Sequence, residues 1–216
     1  MTVSDEVLRR FASLATPTIA NALDDVAFDG VMQGLSQMVP GTRCFGRAVT
    51  VRQVSGRRGD FSSDDFKVGQ MIDAAAPGDI LVVDNGGRCV STFGGLATLA
   101  AKLKGIAGLT ADGGVRDREE MIEHGFPVFA RHMTPLTGRT RLAIAAINGP
   151  ISCAGVHVRP GDVIVADGSG VTCIPAEHAA EVAELAQRYA ADDERAAAEL
   201  ASGLTFSEAM AKFKRI

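Results

Sequence analysis

Apolar and polar positions along this chain keep two rhythms, helical near both ends and strand-like in between. Residues 4–14 (SDEVLRRFASL) place apolar side chains at helical spacing behind Ser4, a natural cap, with Glu6 in the first turn. Thr16-Pro17 restarts a helix to about Ala27, with Thr16 expected as N-cap, Pro17 at the first helical position and Ala20, Leu23 and Val26 on one face. Phe28 to Pro40 reads as loop, Gly46 to Val54 as a half-buried strand, and residues 55–66 as a charged loop. A helix follows over about Val68 to Ala75, then a Pro77-Gly78-Asp79 turn and a buried strand, Ile80 to Val83.

From Pro127 the pattern gives a short strand, Val128 to Ala130, a loop carrying His132, Pro135 and Gly138, and then a β-rich half. Its strands are expected at Arg141 to Ile147, Val156 to Val158, Asp162 to Asp167 and Val171 to Pro175. A helix of alanines, acids and valines runs from Ala176 to about Leu200 and stops at Gly203, and a last amphipathic piece covers Ser207 to Phe213. The segments APGDILVVDNGG and RPGDVIVADGSG echo each other, a weak sign of two related β units.

The stretch from Gly94 to Asp117, GGLATLAAKLKGIAGLTADGGVRD, changes the picture from fold to chemistry. A glycine pair opens a short helix carrying Leu96, Leu99, Ala100 and Leu103, which breaks at Gly105 and gives way to a buried strand from Ile106 to Ala111. Asp112-Gly113-Gly114-Val115-Arg116-Asp117 reads as the turn that leaves this strand. A helix N-terminus after glycines favours an anion, because its first N–H groups have no partner and the helix dipole is positive there. An anion held at that end could meet an arginine and a metal-binding carboxylate at the other.

Composition narrows the classes. A chain of 216 residues with 22% charged positions and a formal net charge of −4 fits one domain over 1–216 and gives no general basic face for nucleic acid or an anionic membrane. Helices at about 4–27, a core at about 40–175 and a helix at about 176–213 make up that domain. No apolar run reaches the roughly 18 to 20 residues of a membrane span, and MTVSDEVLRRF lacks a signal-peptide core, so a cytoplasmic protein is expected. Cys44, Cys89, Cys153 and Cys173 show no CxxC spacing and read as buried free thiols; His124, His132, His157 and His178 show no paired-ligand spacing.

Three motifs in order, GDILVVDNGG, FGGLATLAAKLKGIAGLTADGGVRD and PISCAGVHVRPGDVIVADGSGVTCIP, resemble one family from about Pro17 to Gly203. It contains the RNase E activity regulator RraA and the class II pyruvate aldolases acting on 4-hydroxy-4-methyl-2-oxoglutarate and 4-carboxy-4-hydroxy-2-oxoadipate. The resemblance implies an α/β, three-layer β/β/α swivelling-domain fold with helical N- and C-terminal extensions, assembled as a homotrimer or a dimer of trimers. It also implies that Asp117 holds Mg²⁺ or Mn²⁺ with water filling the remaining positions, and that Arg116 binds a short 2-oxo acid and neutralises its enolate. The amides around Gly94, Gly95, Leu96 and Ala97 would take the substrate carboxylate, and Glu194 on a neighbouring subunit's C-terminal helix would complete the site. Asp112 either supports the metal ligand from behind or caps the turn.

One position departs from the aldolases. They carry an aspartate twenty-one residues before the arginine of the Arg-Asp pair, and that position is Gly95 here. A glycine there predicts that oxaloacetate is decarboxylated better, relative to aldol cleavage, than by an aldolase with the acid in place, because aldol cleavage needs more proton transfers. Two functions of different class follow from the resemblance: a divalent-metal lyase on short 2-oxo acids, or a non-catalytic regulator that binds and inhibits a partner such as an RNase.

Overall fold

The structure, a computed structural model, describes residues 2–213. Met1 and residues 214–216, which the expected domain takes in, lie outside the described residues. Helices α1 (Asp5–Arg10) and α2 (Thr16–Asp25) lead into short strands β1 (Val31–Met32) and β2 (Ser36–Gln37) within the segment expected as loop. Then come β3 (Cys44–Ser55), α3 (Val68–Asp73), β4 (Ile80–Phe93), α4 (Gly95–Leu103), β5 (Gly108–Val115), α5 (Arg118–His124) and β6 (Val128–Met133). The β-rich half holds β7 (Leu142–Ile147), β8 (Ile151–Cys153), β9 (Val156–Val158), β10 (Val163–Asp167) and β11 (Gly170–Ile174), and α6 (Ala179–Ala201) and α7 (Phe206–Phe213) close the chain.

A mixed sheet runs β1-β11-β10-β3-β4-β5-β6-β2, with β7 on the far half of β3, and β8 and β9 form a separate hairpin. Strands β3, β4, β5 and β6 are parallel to one another, and the remaining pairings are antiparallel. Three apolar cores fix the layers. Helices α3, α4 and α5 cover one face of the parallel strands through Met71, Ile72, Ala101 and Met121, with Phe126 just past α5. The opposite face (Ala48, Ile80, Val82, Phe129) packs on Cys153, Val156, Val158, Ile164 and Cys173 of the β-rich half. Helices α1, α2 and α6 cover β10 and β11 on the outside through Phe11, Ile19, Leu23, Val182 and Ala186. This is the β/β/α core with helical extensions that the resemblance implied.

The repeated Pro-Gly-Asp turns have the same local chemistry. Asp79 Oδ2 accepts the Ala76 N–H at 2.8 Å and Asp162 Oδ2 accepts the Arg159 N–H at 2.7 Å. The strands that follow, β4 and β10, flank β3 on opposite sides, at Ala48 and Arg47.

Several expectations change. Thr16 is the first helical residue rather than the cap, with Ala15 at the N-cap. Its N–H and hydroxyl donate instead to Asp167 at 2.8 and 2.7 Å, so a carboxylate from β10 ties down this helix end. The face α2 buries is Thr16, Ile19, Ala22 and Leu23. Strand β5 continues through Asp112-Gly113-Gly114 to Val115 with every residue buried, where a turn was expected. Those glycines serve close strand packing: a Cβ on Gly113 would meet the Asn85 side chain at 2.7 Å. Strand β4 likewise passes its own glycine pair through three register shifts and reaches Phe93, and β6 takes in His132.

Candidate functional site at the ends of strands β4 and β5

Strands β4 and β5 end side by side, Phe93 opposite Val115, and the chain leaves both at the same level. That places Gly94-Gly95 against Arg116-Asp117, with the Arg116 N–H donating to the Phe93 carbonyl at 3.0 Å. The carboxyl ends of parallel strands are where α/β sheets place ligands, because the following helices start there. Helix α4 begins at Gly95 with an extended Gly94 as N-cap and no side-chain cap, so only backbone meets the incoming residues. Gly94 leaves no room for a side chain: a Cβ there would lie 2.6 Å from Asp117 Oδ2 and 3.0 Å from Arg116 Nε. Thr98 steadies this turn, its hydroxyl and amide both donating to the Gly94 carbonyl, at 3.0 and 2.9 Å.

Asp117 sits in the left-handed region, φ 60° and ψ 50°, at the N-cap of α5. Its Oδ2 accepts the Gly95 N–H at 3.0 Å and lies 3.4 Å from Arg116 Nε. No bond to Oδ1 is present among the described residues, so that oxygen remains available to a cation or a donor. The Arg116 and Asp117 side chains are 44% and 36% exposed, enough to reach a ligand without being loose on the surface. They stand on one wall of a cleft of about 580 Å³, whose other walls come from Phe66, Val68, Gly69 and Ile72, from Ser91 to Phe93, and from Thr137. Gly94, Gly95, Leu96, Ala97 and Ala100 line it from α4, and Glu120 from α5.

The structure thus brings together Gly94, Gly95, Leu96, Ala97, Arg116 and Asp117. It does not bring Asp112 or Glu194 to them. Asp112, 8% exposed on β5, pairs with Arg131 at 2.5 Å and accepts the Ala154 N–H at 2.9 Å, tying β5 and β6 to the β-rich half. It neither caps a turn nor bonds Asp117. Behind it, burial pushes the Asp84 carboxyl up, with Asp112 adding to the effect and the Gly86 N–H opposing it. Glu194 is exposed on α6, which packs against α1, α2 and α7 and contributes nothing to the cleft of its own chain.

Glu120 was missed by sequence reasoning. Its carboxylate lies over Gly95, so that a Cβ at 95 would be 1.7 Å from Oε2 and 2.3 Å from Cδ. Helical spacing alone marks residue 120 as sharing a face with Asp117, but an acid in a first turn is usually only favourable to the dipole. The wall from Phe66 to Ile72 carried no sequence signal beyond its apolar side chains.

Cysteine and histidine chemistry does not compete with this cleft. Cys44, Cys153 and Cys173 are buried and free, as expected, and burial pushes the Cys44 thiol up to about 12 and raises the other two as well. Cys89 is exposed, against expectation, at the bulged middle of β4. Among the described residues no three or more His, Cys, Asp and Glu side chains form a group that could enclose a metal ion. The donor set at Asp117 nevertheless fits a hard dication, since Mg²⁺ is commonly held by one or two carboxylates with water and substrate oxygens supplying the rest.

Residues 16–173 match the family described as RraA-like, Aldolase/RraA. The chain belongs to that family. A Halalkalibacterium halodurans protein named "Putative 4-hydroxy-4-methyl-2-oxoglutarate aldolase" is 35% identical over 190 residues, 88% of this chain and 86% of that one. Among solved structures, an uncharacterized protein from Pseudomonas syringae pv. tomato str. DC3000 superposes with a TM-score of 0.87 at 30% identity, covering 97% of this chain and 98% of that one. Streptomyces coelicolor RraAS2, described as an unusual member of the RNase ES inhibitor RraA protein family, gives a TM-score of 0.83 at 26% identity over 91% of this chain and 99% of its own. No helix among the described residues is long and apolar enough to cross a membrane.

Proposed function

We propose that this RraA-like protein is a divalent-metal-dependent carbon–carbon lyase for short 2-oxo acids, forming a pyruvate enolate by aldol cleavage of a 4-hydroxy-2-oxo acid, by decarboxylation of oxaloacetate, or both. The observation that carries it is the meeting, on one cleft wall, of the α4 N-terminus, the Arg116 guanidinium and the Asp117 carboxylate. The Leu96 and Ala97 N–H groups, in the first turn of α4 and without a side-chain cap among the described residues, suit the substrate carboxylate. Arg116 supplies fixed N–H donors beside the oxygen that gains charge as the enolate forms, which strengthens its binding as the bond breaks. Asp117 would hold Mg²⁺ or Mn²⁺, and a bound dication supplies Lewis-acid polarisation of the 2-oxo group. The name of the Halalkalibacterium relative supports the same substrate class.

Self-association belongs to this proposal. Glu194 is exposed and does not line the cleft of its own chain, so a part for it in catalysis requires a trimer, or a dimer of trimers, that presents it to a neighbour's site.

A non-catalytic regulator that binds a partner such as an RNase is the second reading. Its support is the likeness to the Streptomyces protein, together with the apolar Leu96 and Leu103 standing 84% and 79% exposed on α4. One assay separates the two. Pyruvate release from oxaloacetate or from 4-hydroxy-4-methyl-2-oxoglutarate is followed with Mg²⁺, with chelator, and after metal is restored. Turnover that follows the metal supports the lyase, and its absence from both substrates with Mg²⁺ and Mn²⁺ overturns it.

A further inference from the structure

The cleft carries charge at one end only. Arg116, Asp117 and Glu120 are the ionisable residues among those that line it, one cation against two acids. Away from them the wall is built by Phe66, Val68, Ile72, Phe93, Ala97 and Ala100. Ile72 and Phe93 belong to the core and Val68 and Ala97 pack against it, so packing fixes this wall in place. Phe66 is held from behind, since a Cβ on Gly138 would meet its Cε2 at 2.5 Å. Asp65 closes the turn before it by accepting the Ser62 N–H at 2.8 Å. Lys67, which leads from Phe66 into α3 at φ 44°, is exposed and does not line the cleft. Hydroxyls offer little in place of charge: Ser91 already donates to the Phe93 carbonyl at 2.9 Å, Thr137 accepts the Arg139 N–H at 3.2 Å, and Thr92 is fully buried. An apolar cleft wall is often only the core showing through. This one adjoins the groups that hold the reacting end of the substrate, which gives it a consequence.

We propose that this wall selects the part of the substrate beyond C4, so that the protein cleaves 4-hydroxy-2-oxo acids with an alkyl tail in preference to those with a second carboxylate. The inference rests on the lyase reading and narrows its substrate class. With the 2-oxo acid end held at the α4 N-terminus and Arg116, the atoms beyond C4 face the rest of the cleft. A second carboxylate there leaves water for apolar side chains, and no further cation lines the cleft to pair with it. Glu194, the residue a neighbouring subunit would bring, is another acid. An alkyl tail in the same place gains up to about fourfold in binding for each methylene it buries. For a propyl tail the reaction turns 4-hydroxy-2-oxoheptanoate into pyruvate and butanal. The C3–C4 bond breaks, its electron pair passes into the enolate and the 4-hydroxyl oxygen becomes the aldehyde carbonyl. That hydroxyl loses one proton and C3 gains one, so no oxidant or further reactant is needed.

Two pairs of substrates that exchange a methyl group for a carboxylate test the preference. One is 4-hydroxy-2-oxoheptanoate against 4-hydroxy-2-oxoheptanedioate, the other 4-hydroxy-4-methyl-2-oxopentanoate against 4-hydroxy-4-methyl-2-oxoglutarate. Pyruvate release at saturating Mg²⁺ is expected to give a kcat/KM at least about tenfold higher for the methyl member of each pair. Gly69 offers the variant that reverses this. It lines the cleft from α3, lies outside the left-handed region, and a Cβ there meets nothing within 4 Å. Gly69→Lys is expected to move both ratios at least about tenfold towards the dicarboxylates, and Gly69→Gln, of similar reach but uncharged, to leave them within about threefold of wild type. Thermal melts check folding, and if Gly69→Lys does not fold the wild-type ratios decide. A wild type that turns over the dicarboxylates as well as or better than their methyl counterparts overturns the preference and keeps the lyase reading. A folded Gly69→Lys with unchanged ratios overturns the part given to the wall. Oxaloacetate, whose second carboxylate leaves as uncharged CO₂, tests the lyase reading separately: with no pyruvate from it or from any of the four substrates, the lyase reading and this preference fall together.

Discussion

Replacing Asp117 separates the chemistry of the cleft from the strain of the backbone that carries it. At φ 60° and ψ 50° the residue occupies the left-handed region, which costs an L-residue roughly 1–2 kcal/mol and is easiest for aspartate, asparagine and glycine. Its Oδ2 also satisfies the Gly95 N–H at 3.0 Å, a bond worth about 1 kcal/mol net. Asp117→Ala keeps the strained geometry and loses the acceptor, so a destabilisation of about 1–2 kcal/mol is expected, a few degrees in Tm for a chain of this size. Asp117→Asn keeps both the turn and an acceptor oxygen, and Asp117→Gly relieves the turn; neither should melt as low as Asp117→Ala. All three remove the carboxylate charge that would hold the dication, whose loss forfeits several kcal/mol of transition-state stabilisation, at least about 100-fold in rate. Thermal melts and a coupled assay of pyruvate with lactate dehydrogenase, at saturating Mg²⁺, read both quantities. Metal-dependent turnover within tenfold of wild type in Asp117→Asn or Asp117→Gly would refute the metal assignment, and an Asp117→Ala as stable as Asp117→Gly would refute the strain argument.

Gly95 lies outside the left-handed region, so its backbone accepts another residue, but Gly95→Asp must push the Glu120 carboxylate aside. The substitution is expected to raise 4-hydroxy-2-oxo acid cleavage more than oxaloacetate decarboxylation; both rates at saturating Mg²⁺ in wild type and variant check it, and an unchanged ratio in a well-folded variant would show that the missing carboxylate does not set the chemistry. Asp167 ties down the start of α2: burial would raise its carboxyl, but bonds from the Thr16 hydroxyl and amide and the Ser169 amide, with Arg43 nearby, hold it below the usual range. Its contribution is therefore present above the unfolded value of about 3.9 and is lost as pH falls through the lower folded value, so Asp167→Ala should cost about 1–3 kcal/mol at pH 7 and less in strong acid, read by denaturant melts across pH. Light scattering at micromolar concentration should give a trimer or hexamer, and mixing Arg116→Ala with Glu194→Ala protomers should restore partial activity. A monomer would dispose of the shared site.

The elements were legible where periodicity and punctuation agreed. Helix α4 between Gly94 and Gly105, the buried strands after both Pro-Gly-Asp turns, and the long alanine-rich α6 all lie where their patterns put them. Glycines misled where they serve packing rather than turning, as at Gly113, because a sequence does not show that Asn85 crosses beside it. Long-range partners were equally invisible: Thr16 looks like a cap until Asp167, 151 residues away, supplies its acceptor. In the site, Arg116, Asp117 and the α4 turn could be named from adjacency within one strand-helix-strand unit. Glu120 stood out less, since helical spacing puts it on the Asp117 face but its place over Gly95 is set by tertiary packing.

The proposed chemistry requires this cleft to bind a 2-oxo acid through the α4 N-terminus and Arg116, with a dication at Asp117. A crystal structure of the protein with Mn²⁺ and oxalate, a stable mimic of the pyruvate enolate, tests it most directly. Mn²⁺ is expected within bonding distance of an Asp117 carboxylate oxygen, with oxalate beside the metal and Arg116 and its far carboxylate at the Leu96 and Ala97 amides. Mn²⁺ and oxalate bound elsewhere, with the cleft holding only water, would contradict it.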